Sequence, residues 1–185
     1  MELLNKEKKI SNLQLSKIAL DINRLHDAGE TKSKLPPLET VLAYKNEHVV
    51  DGIILAFDIE KNEAEMLFTE CIRWLWYCSV PTTANHRNID EPLLILDEIW
   101  HMFMLYTPYY TMFCQTYFGH YIHHMPTLIE NRIEFKKLSI EEVKIKKKQQ
   151  YELIFDVLGK DVFILWYHRF PENFSKSKIL KLRKK

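Results

Sequence analysis

Residues 93–126 read LLILDEIWHMFMLYTPYYTMFCQTYFGHYIHHMP. Apolar and aromatic residues recur here at helical spacing, and Thr107-Pro108 interrupts them. Threonine caps a helix by accepting a backbone N–H, and proline, lacking its own, suits the first helical position. The pattern predicts one short helix over 95–106 and a second over 108–118. Gly119 supplies the left-handed residue that ends the second, and Pro126 closes the block.

Working outward, Asp58 opens a strong helix whose early carboxylates, Glu60, Glu63 and Glu65, favour the positive end of its dipole. Ala64, Leu67, Phe68, Cys71, Ile72, Leu75 and Cys78 recur at three, four and seven and form one buried stripe. Pro81 ends it, and 81–93 reads as a loop. Downstream, Lys146 to Leu158 reads as a helix stopped by Gly159, and Asp161 to Phe170 is taken as a docked helix in preference to a strand. Upstream, 10–28 reads as a helix, Thr31 to Pro37 as a linker and Thr40 to Val50 as a weaker helix. Gly52–Phe57 is short and apolar, and periodicity leaves it open between strand and helix.

These elements predict an all-α, compact multi-helix bundle with at most one short strand. The expected organisation is a single domain over 1–170, with its signature block at 93–126, and a basic flexible tail over 171–185. A chain of 185 residues sustains a core without staples. Four glycines and seven prolines exclude turn-rich β folds. Charge is uneven, with 11 Lys and Arg against 18 Asp and Glu in 1–130, and 15 against 7 in 131–185. Basic runs lie at 144–148 and 176–185. They read as a solvated helix face and a frayed terminus, with contact to anionic surfaces as the alternative. Cys71, Cys78 and Cys114 form no paired motif and read as reduced thiols. With no secretory signal and no run of 18 apolar residues, the expected location is cytoplasmic.

Four of the eight histidines, His101, His120, His123 and His124, fall within 24 residues. Asp97 and His101 are four apart, hence on one helix face, as are Tyr110 and Cys114 on the next helix. Imidazole, carboxylate and thiolate together suit a transition metal. Asp97, His101 and His123 are the candidate ligands, with His124 as an alternate ligand or acid–base group. Cys114 is a candidate ligand or nucleophile, and Tyr110 could orient a substrate. Two histidines with one carboxylate would suit iron, and cysteine with histidine zinc. The competing reading is structural. His101 then bonds a backbone carbonyl, Asp97 fixes its tautomer, and Cys114 is a small buried hydrophobe. No phosphate loop, G-x-G-x-x-G or G-x-S-x-G is present, and the aromatics are spaced for helix packing rather than base stacking.

The string D-x-x-W-H-x-F-x-L-x-T-x-x-Y-x-x-F-C-x-x-x-F-G-x-x-I-H-H-x-P at Asp97–Pro126 resembles the glycine-rich domain-containing-protein-like family. Arg73-Trp74-Leu75 and Lys148–Gly159 carry weaker likeness. The resemblance implies an all-helical domain of unassigned activity, with Trp100, His101, Tyr110, Cys114 and Gly119 as the shared set. It supplies no catalytic residues. Two functional expectations therefore stand. The first is an interaction or scaffold module with a buried Trp-His-Cys-Tyr cluster and a protein, rather than a nucleic acid, as partner. The second is a small iron- or zinc-binding protein or metal-dependent enzyme. The sequence names no reaction.

Overall fold

A computed structural model describes residues 35–81, 87–125, 133 and 136–184. The helix expected over 10–28, most of the linker after it, and His26 and His86 lie outside the described residues. The chain divides into two compact units, Met1–Lys34 with His124–Leu138, and Leu35–His123 with Ser139–Lys185. Nearly all described residues belong to the second.

That unit is helical throughout. Its elements are α1 (Leu38–Leu42), α2 (Glu47–Ala56), α3 (Lys61–Ser79), α4 (Leu94–Leu105), α5 (Thr107–Phe118) and α6 (Ile140–Leu158). Helix α7 runs through Lys160–Ile164, a π-helical segment Leu165–Arg169 and Phe170–Asn173, and α8 is Lys176–Leu182. Among the described residues there is no strand, only an isolated antiparallel bridge between Phe57 and Arg183. No described helix is long and apolar enough to cross a membrane.

Helix α3 is the organising element. Its expected stripe is buried from Ala64 to Leu75, joined by Glu70, Trp74 and Tyr77, and Cys78 at its end is only partly covered. Helices α1, α2 and α4 pack against it. Between α4 and α5 the aromatic residues interlock. Phe103, fully buried, meets the rings of Phe68 and Tyr110 edge-on at 5.1 Å and Phe113 at 5.5 Å. Edge-to-face pairs of this kind add about 0.5–1.5 kcal/mol beyond area burial.

Local chemistry sets the helix ends. Asn46 accepts a hydrogen bond from the Val49 N–H and starts α2, so the helix expected over 40–50 divides into α1 and α2. The GIILAF stretch is the end of α2 up to Ala56. Gly119 ends α5 at φ 73°. Ser139 and Glu142 form a reciprocal capping box, which starts α6 at Ile140, ahead of the basic run. Lys144, Lys146, Lys147 and Lys148 are exposed on it, as a solvated face. Gly52 allows a close approach, since a Cβ there would meet the Tyr106 hydroxyl at 2.2 Å.

Two findings depart from expectation. Helix α7 carries a π segment, and Pro171 explains it. Proline lacks an N–H and its ring crowds the carbonyl four residues back, so the Phe170 N–H reaches instead to Leu165 O, five residues back. The tail expected to be flexible is helix α8, with Ile179 only 3% exposed. The Asp58 N–H donates to Leu182 O at 2.7 Å and the Lys184 N–H to Ala56 O at 2.9 Å. Apolar Ile179 and Leu182, set among the lysines, dock the segment that charge alone suggested would fray.

Candidate functional site

Helix α4 buries Ile95, Leu96, Ile99, Trp100 and Phe103. That choice of face turns Asp97, Glu98 and His101 outward. The His101 side chain is half exposed and that of Asp97 less so. His101 Nδ1 lies 2.7 Å from the Asp97 backbone carbonyl and 3.5 Å from its Oδ2. A carbonyl only accepts, so this contact makes Nδ1 the protonated nitrogen and leaves the imidazole lone pair on Nε2.

The segment after α5 is fixed by a buried relay. Trp100 Nε1 donates to the Tyr110 hydroxyl at 3.0 Å, and that hydroxyl donates to Ile122 O at 2.6 Å. Each bond polarises the next. The relay ties α4, α5 and the chain just before the histidine pair together. On α4 itself Asp97 and His101 set one carboxylate and one imidazole side by side, and both kinds of group ligate metals. His124 belongs to the other compact unit.

The other sequence candidates fall elsewhere. His123 is exposed, its ring 4.9 Å from that of Tyr121. His120 Nδ1 bonds Phe118 O at 2.9 Å, satisfying a helix-end carbonyl. His48 stacks on Tyr109. Cys114 is fully buried, and burial pushes its thiol above the ordinary range, which sets it in the core rather than as an accessible thiol. Tyr110, also fully buried, has its hydroxyl raised by burial and committed to the relay. It positions the chain and does not face a substrate.

A cleft of about 460 Å³ opens beside this helix face, lined by Phe57, Asp97, Glu98, His101, Leu105 and Arg183 among others. Arg183 donates to the Glu98 carboxylate and its guanidinium lies over the Phe57 ring, 5.8 Å from the centroid. Sequence reasoning missed Arg183 and Lys184 at this cleft. The readable signal was the apolar spacing of Ile179 and Leu182 inside the basic run.

A second polar centre was also missed. Glu70, 5% exposed, is clasped by Arg73 through Nε at 3.0 and 3.2 Å and Nη2 at 3.2 Å. Trp166 Nε1 donates to the same carboxylate at 2.8 Å.

Fold and site together define an all-helical module with an Asp97–His101 pair on the exposed face of α4. The chain belongs to the UCP032817-like family, whose model matches residues 56–152, from the end of α2 into α6. No function is assigned to that family. The match corrects the resemblance to the glycine-rich domain-containing-protein-like family, and the shared set attached to that resemblance falls with it. The likeness rested on one aromatic block, whose Trp100, Tyr110, Phe103 and Phe113 are packing residues of the helical core. No curated protein and no solved structure matches the chain.

Proposed function

We propose that this helical module binds a divalent transition metal, iron or zinc, through Asp97 and His101, with a histidine of the segment after α5 as third ligand. The observation that carries the reading is the carboxylate and imidazole held side by side on the exposed face of α4, Nδ1 to Oδ2 at 3.5 Å. Two histidines with a carboxylate form the donor set of open iron(II) sites and of catalytic zinc sites. The His101 contact supports it, because metal-ligating histidines commonly donate their second ring N–H to a carbonyl or carboxylate, which fixes tautomer and ring orientation. The exposure of His101 leaves room for water or substrate on the metal.

The test is elemental analysis of the purified protein beside His101→Ala and a double His123→Ala/His124→Ala variant, before and after add-back of iron(II) and zinc. The expected result is near-stoichiometric metal in the parent, lost in both variants with far-UV circular dichroism unchanged. A parent that stays metal-free after add-back overturns it. The interaction-module reading would then stand, supported by exposed Leu55, Leu105 and Met112 on α2, α4 and α5. Proteins use exposed apolar side chains of this size at partner surfaces when they cluster.

A further inference from the structure

A second cleft, of about 410 Å³, lies between α3 and α7, lined by Glu70, Arg73, Asp161, Val162, Leu165 and Arg169 among others. It uses neither Asp97 nor His101. Burying an ion pair costs several kcal/mol per ion in desolvation and seldom adds net stability, so the Glu70–Arg73 pair at its floor calls for another explanation. The geometry supplies one. Glu70 takes Nε and Nη2 of Arg73, which holds the guanidinium plane fixed while Arg73 lines the cleft. Nη1 has no hydrogen bond to a described residue. Trp166 completes the carboxylate's shell. The widened turn forced by Pro171 carries both Trp166 and, at its end, Arg169. Arg169 is exposed and makes no ion pair with a described residue.

We infer that this cleft is a binding site for a small organic carboxylate with an apolar body. Its head group sits on the guanidiniums of Arg73 and Arg169, and its body lies along Val162 and Leu165. Glu70 acts as the positioning residue that pre-orients Arg73. A fixed guanidinium fork matches a carboxylate in two-point geometry, which a mobile lysine does not. The cleft volume suits a small molecule. Asp161 also lines it and makes no ion pair with a described residue. Glu70 and Asp161 balance the two arginines, so the site favours one anionic head over a polyanion.

The experiment is isothermal titration of the intact protein with hexanoate, and separately with inorganic phosphate, in chloride buffer at constant ionic strength. The expected result is saturable one-site binding of hexanoate, with phosphate weaker because it has no apolar body. Affinity falls about tenfold or more in Arg169→Ala, and in Arg73→Lys, which keeps the charge and loses the fork. Arg169 is exposed, so Arg169→Ala stays folded and carries the test if Arg73→Lys does not. No saturable heat with hexanoate overturns the inference, and so does unchanged hexanoate affinity in Arg169→Ala. Equal affinity for hexanoate and phosphate also overturns it, since the apolar wall would then contribute nothing.

Discussion

Trp100 and Trp166 each donate an indole N–H to a buried oxygen on another helix, but the oxygens differ. Trp100 meets the neutral Tyr110 hydroxyl, which passes the bond on to a backbone carbonyl. Trp166 meets a carboxylate already held by an arginine. The neutral relay has no charge to desolvate, so it can lie fully buried and serve purely as a clamp. The charged centre cannot be neutral about its partners. Removing one ion strands the other in a medium where it is poorly solvated. The two tryptophans therefore mark one region built to hold still and another that maintains a charge at depth.

The comparison breaks most sharply at Arg73. Arg73→Ala leaves Glu70 buried and unpaired, and the expected loss is about 3–5 kcal/mol of unfolding free energy, measured by chemical denaturation. A loss under about 1 kcal/mol would mean that water reaches Glu70 and that the charged centre is no costlier than the neutral one. The neutral relay should give less. Tyr110→Phe removes the hydroxyl that accepts from Trp100 Nε1 and donates to the Ile122 carbonyl, for about 1–3 kcal/mol by the same measurement. Because that relay ends next to the histidine pair, Tyr110→Phe should also weaken metal retention in the add-back assay, whereas Arg73→Ala, if folded, should not.

The smallest effect is chemical. Burial pushes the Cys78 thiol up to about 12 and raises Cys71 and Cys114 as well. Thiolate is the reactive form, so a raised pKa lowers reactivity at a given pH, and reactivity climbs as pH approaches the shifted value. At pH 8, alkylation followed by mass spectrometry should leave all three unmodified in the folded protein and modify all three in denaturant. Rapid labelling of Cys114 in the folded state would show the Trp100–Tyr110 region to be open rather than clamped.

Much of the helical order was legible because the relevant signals are local. The Thr107-Pro108 restart, the Gly119 and Gly159 stops and the α3 stripe each depend on a few neighbouring residues. The pairing of Asp97 with His101 was legible for the same reason, being one helical turn. What sequence could not give depends on residues far apart in the chain. Glu70 reads as one more solvent-facing carboxylate until α7 brings Trp166 to it. Cys114 reads as a nucleophile or as core, and its burial decides for core. The start of α6 was legible in Ser139 and Glu142 but hidden by the basic run that follows. The docking of α8 was obscured in the same way, by lysines drawing attention from Ile179 and Leu182.

The bridge between Phe57 and Arg183 also bears on the order in which the unit assembles. It joins positions about 125 residues apart, and contacts of such separation form late because the intervening chain must first be organised. Helices α4 and α5 follow one another directly at Tyr106 and can collapse together early. Closure of the chain by α8 against the end of α2 is then a late step in refolding, and it completes the cleft that Arg183 lines.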